Sequence, residues 1–316
     1  MFQRILATCL VAAMICLGCL SIGSDSTVLA TQGTPCAPNS NDEIAVIVDQ
    51  FNAAIDQQDS AAIGTLFSTD VSRDLVRGQG VGVDSIVAAF DELFAAFPDK
   101  VETTNLILVD APFAMVHYTS TGTQATTFAG EEPIGQPVSW DAMYMIEVEC
   151  GKIVQVWNEV DRLARVAESD STPATPVAPA SVASPESCPE LTRETAQSLM
   201  DSWYHEIWTG NLDLLATLTT PGVYHHWAQG PDSSGQDAQM AHLQATLDML
   251  PGLTSGYDQL IVSGDLIGVR WEQSLGDDTW GGMNIFRTEC GRIAEVWSEM
   301  NITELPALDG SATPTA

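Results

Sequence analysis

Residues 149–161 read ECGKIVQVWNEVD, and residues 289–301 read ECGRIAEVWSEMN. Glu, Cys, Gly, Ile, Val, Trp and Glu recur in the two segments at identical spacing, and Lys152 is matched by Arg292. An internal repeat of this kind indicates that a whole structural unit has been duplicated. The sequence therefore predicts two domains of the same fold, each of which closes with this segment.

Each copy of the segment is typical of a turn at Cys-Gly followed by a β-strand, whose side chains alternate between two faces. The residues expected on one face of this strand, in the two copies, are Trp157, Glu159, Asp161 and Trp297, Glu299, Asn301. We take them as candidate pocket residues. The copies differ at the end of the strand, where the carboxylate of the first copy is replaced by a carboxamide in the second.

The chain of 316 residues is long enough for two domains, each able to bury its own core. Its hydrophobic fraction of 45% is that of a globular protein. Its net charge is −31, from 42 acidic and 11 basic residues. Such a charge repels nucleic acids and anionic membrane surfaces, so we expect neither as a partner.

The first 30 residues have the architecture of an export signal. Arg4 precedes an apolar run over residues 5–20, and Val-Leu-Ala at 28–30 offers a small-residue cleavage site. We therefore expect a secreted or otherwise extracytoplasmic protein. The alternative takes Leu-Gly-Cys at 17–19 as a lipoprotein box, in which Cys19 carries a lipid.

Four cysteines lie outside the signal region, and they allow three disulfide connectivities. Cys36 and Cys188 each precede the first helix of a copy, whereas Cys150 and Cys290 are equivalent within the repeat. A bond present in the ancestral unit would be duplicated with it, which favours Cys36–Cys150 and Cys188–Cys290. The alternative of four free thiols is disfavoured by an oxidising compartment.

Both copies follow the same order of elements. Three segments with helical periodicity come first, and four segments of strand-like alternation follow. This order predicts an α+β fold, in which helices pack on one face of a curved, mainly antiparallel sheet of four to six strands. The expected segments are a signal peptide at 1–30, a polar leader at 31–39, domain 1 at 40–167, a Pro/Ala/Ser/Thr linker at 168–187, domain 2 at 188–305 and a disordered tail at 306–316.

Several short motifs of the first copy belong together. They are FAAFPD at 94–99, TGT at 121–123, Gly130 followed by PIG at 133–135, and GKI at 151–153 leading to Trp157 and Asp161. Together they resemble the SnoaL-like polyketide cyclases, whose cone-shaped α+β barrel is shared with ketosteroid isomerase and nuclear transport factor two. The resemblance covers about residues 40–166 and, more loosely, 190–303. It implies two tandem cones, each with an interior pocket.

The resemblance also implies roles for particular residues. In the family the Asp after the Trp is a general acid/base inside the cone, and Asp161 falls on that position; a carboxylate in an apolar cavity has a raised pKa and becomes a usable base. The first copy lacks the family's two histidines, because Gln124 and Asp74 stand in their places. In the second copy His226 matches a family histidine, but Asn301 replaces the acid.

The remaining candidate pocket residues are aromatic or polar side chains, namely His117, Gln124, Trp140 and Trp227. We expect no metal site, because the adjacent His225 and His226 would diverge on a strand and His205 and His242 lack ligand spacing. No motif for a bound cofactor is present either.

The incomplete acid and histidine sets favour a protein that binds a small apolar molecule in the cone without full catalytic machinery. The alternative is a cyclase- or isomerase-like enzyme that uses Asp161 as its general acid/base, with His226 as a candidate in domain 2. The resemblance also implies pairing through the open sheet face, and apolar sheet faces need such cover. We therefore expect the two domains to pair as an internal pseudo-dimer, or the chain to form a homodimer.

Overall fold

The computed structural model describes residues 36–160 apart from 76, 77, 129, 131 and 134, and residues 188–300 apart from 229 and 230. The expected signal peptide, linker and tail lie outside these residues, as do Cys19, Asp161 and Asn301. None of the helices described is long and apolar enough to cross a membrane.

The described residues of domain 1 form three helices and one six-stranded sheet. Its elements are α1 (Asn41–Asp56), α2 (Ser60–Leu66), β1 (Phe67–Leu75), β2 (Gly78–Val81), α3 (Val83–Ala96), β3 (Val101–Asp110), β4 (Phe113–Thr123), β5 (Pro137–Glu149) and β6 (Lys152–Val160). The strand order is β2-β1-β6-β5-β4-β3. β1 and β6 are parallel, and the other neighbours are antiparallel.

Domain 2 repeats this plan. Its elements are α4 (Arg193–Asp201), which continues as a π-helical turn (Ser202–Glu206) and a 3-10 turn (Ile207–Thr209), then a 3-10 turn (Leu212–Leu214), α5 (Leu215–Leu218), β7 (Thr219–His226), β8 (Ser233–Ser234), α6 (Gln236–Met249), β9 (Thr254–Ser263), β10 (Leu266–Leu275), β11 (Asp278–Glu289) and β12 (Arg292–Met300). The strand order is β8-β7-β12-β11-β10-β9, again with one parallel pair, β7 and β12.

The two sheets confirm the predicted α+β class and its duplication. The strands β1, β2, β7 and β8 are not among the four strand-like segments found in each copy. β2 and β8 have only four and two residues. β1 and β7 are mostly polar or glycine-containing. Such segments show no clear alternation of apolar and polar residues, which is the sequence signal for a half-buried strand.

One hydrogen bond between helix and sheet occurs in both domains with its partners exchanged. In domain 1 the Tyr144 hydroxyl donates to the Asn52 side-chain oxygen at 2.7 Å. In domain 2, at equivalent positions of the repeat, the Asn284 amide donates to the Tyr204 hydroxyl at 3.0 Å. Each pair satisfies the hydroxyl of a buried tyrosine, which would cost about 1–3 kcal/mol if it were left unpaired.

The sheet face that carries the helices is called the inner face, and the opposite face is called the outer face. The outer faces of the two sheets share one buried apolar cluster, formed by Leu108, Met115, Met143, Met145, Ile261, Met283 and Ile285. A Cβ placed on Gly268 would lie 3.0 Å from the Met115 sulfur, so this glycine permits close approach of the second sheet. Asp110 also accepts hydrogen bonds from the Val262 backbone at 2.8 Å and from Arg193.

The structure contains the disulfides Cys36–Cys150 and Cys188–Cys290, with Cα–Cα distances of 5.5 and 4.8 Å. Each joins the chain before the first helix to the turn that precedes the last strand. The disulfides therefore tie together the two ends of each domain.

Candidate functional site

The inner face of domain 1 and its helices enclose a cavity. The part of the cavity that is open to the centre of a water-sized sphere is about 100 Å³. Its apolar lining comes mainly from α1, α3 and the sheet and comprises Phe51, Ile55, Phe67, Ile86, Ala89, Phe90, Leu93, Phe128, Trp140, Val156 and Val160. Concave, largely apolar cavities of this kind are typical binding sites for small molecules.

The polar groups of this cavity are already paired with one another. Lys100 and Glu102 form an ion pair whose side chains are only 4% and 6% exposed. The Asn158 amide donates to the Tyr118 hydroxyl at 2.9 Å. Burial raises the pKa of Tyr118 and of Tyr144 well above the ordinary value, so both hydroxyls stay neutral. The Tyr118 hydroxyl accepts from Asn158 and can donate to a ligand, whereas the Tyr144 hydroxyl donates to Asn52 and can only accept from one.

The corresponding interior of domain 2 contains larger side chains. Phe51 is matched by the fully buried Trp203, and Trp203 packs edge-on against Phe286 with ring centroids 5.6 Å apart. Trp271 lies so close to Gly282 that an added Cβ there would meet its ring at 2.4 Å. These bulky residues pack together in the apolar core of domain 2.

Domain 2 also contains a buried polar network. His225 pairs with Ser298 at 2.7 Å and with Gln239 at 3.1 Å. Burial lowers the pKa of His225 well below its usual range, so the ring is neutral. Trp227 stacks on both His225 and His242, with ring centroids 3.4 and 3.8 Å away. Trp227, a predicted pocket residue, is thus held in a stack of rings.

In domain 1 the predicted pocket residues divide between the two faces of the sheet. Trp140 lines the cavity. Gln124 is buried and donates to the Thr126 carbonyl at 3.0 Å. Trp157 and Glu159 alternate with the cavity residues Val156 and Asn158 on β6 and therefore lie on the outer face.

On the outer faces the two domains bring equivalent residues together in reciprocal fashion. His117 lies 3.7 Å from Glu299 and 6.5 Å, between ring centroids, from Trp297. In the other half Arg270 takes the place of His117: its guanidinium lies 5.2 Å from the centre of the Trp157 ring. Its charge also interacts with that of Glu159. Contacts of this reciprocal kind are those of an isologous interface.

Burial lowers the pKa of His117 to about 4, so this imidazole is neutral. The five predicted pocket residues Trp157, Glu159, His117, Trp297 and Glu299 are thus brought together between the domains rather than inside a cone.

His226, the candidate catalytic histidine of domain 2, lies on the outer face at the edge of this region. It stacks on Trp297 with centroids 5.5 Å apart and pairs with Asp232 and Glu295, both at 3.2 Å. Burial alone would lower the pKa of His226, but the two carboxylates outweigh it and raise the pKa to about 9. A permanently protonated histidine is a poor general base near neutral pH.

We expect His226 to make stability depend on pH. Because its folded pKa exceeds the unfolded value of about 6.5, its contribution is complete below about pH 6.5 and is lost as pH rises through about 9. His226→Asn should therefore lower the melting temperature at pH 6, and this deficit should shrink toward pH 10. The matched control is His205→Asn, which changes an exposed histidine of the same domain. Identical pH profiles for wild type and His226→Asn would contradict this assignment.

The cavity residues Lys100, Glu102 and Tyr118 are absent from the sequence-based candidate set. Lys100 is one of only two lysines in the chain, and it lies two residues from Glu102 at the start of a strand. On a strand that spacing places both side chains on the same face. The spacing of Lys100 and Glu102 therefore indicated a pair on one strand face, but it did not indicate that this face borders the cavity.

Comparisons with known proteins agree with the fold. Residues 45–168 match the family model described as SnoaL-like polyketide cyclase, and residues 200–296 match the one described as SnoaL-like domain. The chain is thus a tandem SnoaL-like protein and belongs to this family. SnoaL-like domains bind small molecules and can be cyclases. No curated protein matched the chain.

Solved structures similar to this chain include AclR from Streptomyces galilaeus, with 22% identity over 44% of this chain and 87% of that one, and a TM-score of 0.38. Another is a SnoaL-like polyketide cyclase from Agrobacterium tumefaciens, with 20% identity, 38% and 93% coverage and a TM-score of 0.35. A third is TsrD from Streptomyces laurentii, with 19% identity, 40% and 93% coverage and a TM-score of 0.37.

Proposed function

We propose that this protein binds a small, largely apolar molecule in the cavity of domain 1. The observation that carries the proposal is the contrast between the domains: the interior of domain 1 is open and lined by aromatic and aliphatic side chains, whereas that of domain 2 contains Trp203, Trp271 and Phe286. The hydroxyls of Tyr118 and Tyr144 would orient a polar group of the ligand.

The proposal assigns binding rather than catalysis to this cavity. Its charged groups, Lys100 and Glu102, are paired with each other. The β6 residues that face it are Val156, Asn158 and Val160, none of which exchanges protons near neutral pH. The alternative acid/base, Asp161, lies outside the described residues.

Domain 2 has a supporting role in this proposal. Its outer face covers the outer face of domain 1 through the shared apolar cluster, so the two domains act as an internal pseudo-dimer. Export from the cytoplasm also belongs to the proposal. It is supported by the two disulfides, which persist in oxidising compartments.

Blocking the cavity should abolish binding. Ala89 lines the cavity from α3, and Ala88 is the exposed neighbour on the same helix. We expect Ala89→Trp to weaken binding of the apolar dye Nile red at least about tenfold, equivalent to about 1.4 kcal/mol, because the indole occupies the dye's space. Ala88→Trp adds the same ring toward solvent and should bind the dye like the wild type. Fluorescence titration of the three proteins measures the difference.

Native mass spectrometry of the purified wild type would identify a co-purified ligand, which Ala89→Trp should lack. Equal dye affinity in Ala89→Trp and wild type would exclude the cavity as the binding site. Turnover of the identified ligand that is lost in Asp161→Asn would support the enzyme alternative instead.

A further inference from the structure

Three potential metal-ligating side chains converge where the outer faces of the two sheets meet. They are His117 of β4, Asp141 of β5 and Glu299 of β12, and one ligand atom from each lies within 4.8 Å of the others. Two of them come from domain 1 and one from domain 2. The sequence gives no ligand spacing for them, because three different strands carry them.

His117 is the unusual member of this cluster. It is only 5% exposed, and neither of its ring nitrogens has a hydrogen-bond partner within the described part of the chain. Its Nε2 atom faces the Glu299 carboxylate at 3.7 Å, beyond hydrogen-bond distance. An unsatisfied buried polar group costs about 1–3 kcal/mol, so a buried imidazole without a partner calls for a ligand.

The other two side chains are suited to complete such a site. Asp141 is exposed, which gives an ion access from solvent. The Thr119 hydroxyl donates to the Asp141 carboxylate at 2.5 Å, and the Asn105 amide donates to Thr119 at 2.9 Å. Hydrogen bonds of this kind orient carboxylate ligands in metal sites. Glu299 is 5% exposed and reaches the cluster from the facing sheet.

In the reciprocal half of the interface, the position equivalent to His117 carries a positive charge. There Arg270 stands where His117 stands here, and its positive charge interacts with Glu159, the equivalent of Glu299. In the His117 half the equivalent position carries an imidazole, and Asp141 adds a second carboxylate where the other half has Gly281. One half therefore contains a built-in cation, and the other contains one imidazole and two carboxylates.

We propose that His117, Asp141 and Glu299 bind a divalent first-row transition metal ion that joins the two domains. One imidazole and two carboxylates are an accepted ligand set for Zn²⁺, with bond lengths of roughly 2.0–2.2 Å. Ligand atoms of a tetrahedral Zn²⁺ lie about 3.4 Å apart, so small side-chain rotations would close the present cluster around the ion. The ion would stabilise the folded chain, because the unfolded chain does not hold the three ligands together.

The test uses full-length protein freed of metal with a chelator and titrated calorimetrically with zinc chloride. We expect one ion per chain and a rise in melting temperature. Glu299→Gln and Asp141→Asn should each weaken zinc binding at least about tenfold. The matched control is Glu159→Gln, which makes the same change at the equivalent position facing Arg270, and it should bind zinc like the wild type. His226→Asn removes the neighbouring, partly buried imidazole and should also leave binding intact.

Co²⁺ supplies a readout that does not depend on folding stability. Bound cobalt should give visible absorption bands in the wild type and in Glu159→Gln, and these bands should be lost in His117→Gln. Absence of zinc binding to the wild type would overturn the proposal. Zinc affinity unchanged in Glu299→Gln and His117→Gln, or lost in His226→Asn, would do the same.

Discussion

Replacing Cys188 and Cys290 with serine is expected to lower the free energy of unfolding by up to about 4–5 kcal/mol. The bond closes a loop whose ends are 102 residues apart, and in the chain-entropy model a loop of this size restricts the unfolded chain by about that amount. Because the two cysteines lie before the first helix and before the last strand, the loop spans nearly all of domain 2. Urea unfolding followed by tryptophan fluorescence measures the loss.

The equivalent variant of domain 1, in which Cys36 and Cys150 become serine, is the matched comparison. Its loop has a sequence separation of 114 residues, so the expected loss is of similar size. Adding a reductant to the wild type should reproduce the effect of both changes together. Unfolding curves of the reduced and oxidised wild type that superimpose would contradict the contribution assigned to the disulfides.

Trp203→Ala is expected to destabilise the protein by about 3–5 kcal/mol, the usual cost of removing a large aromatic side chain from a filled core. Trp203 lies on the π-helical turn that continues α4. It is fully buried and packs with Phe286 and other aromatic residues of domain 2. Its equivalent in domain 1 is Phe51, whose ring lines part of the open cavity. Phe51→Ala should cost less, because a ring beside a void has fewer neighbouring atoms to lose.

Urea denaturation of the two alanine variants, measured side by side without ligand, tests this difference. A larger loss for Phe51→Ala than for Trp203→Ala would mean that the interior of domain 1 is not the looser of the two. The comparison matters for function, because an open interior in domain 1 is the observation on which the binding proposal rests.

Much of the fold could be predicted from the repeat and from local periodicity. The order of helices and strands, the α+β class and the equivalence of Cys150 with Cys290 all follow from patterns within short segments. The short strands β2 and β8 could not be predicted, since two to four residues carry no usable period.

The candidate site was less predictable. Alternation correctly separates Trp157 and Glu159 from Val156 and Asn158, but it does not say which set faces the helices. Trp157 was predicted to face the pocket because it shares a strand face with Asp161, whereas the cavity is bordered by Val156 and Asn158.

The sequence by itself determined that a SnoaL-like unit occurs twice, because hydrophobic periodicity and the recurring Cys-Gly turn are local properties of the chain. Only the tertiary structure decided which strand face encloses the cavity and which meets the other domain. Only the tertiary structure also places His117 and Asp141 close to Glu299. The physical reason is that a period of two fixes which side chains share a face, whereas the packing of helices and of the second sheet decides what each face contacts.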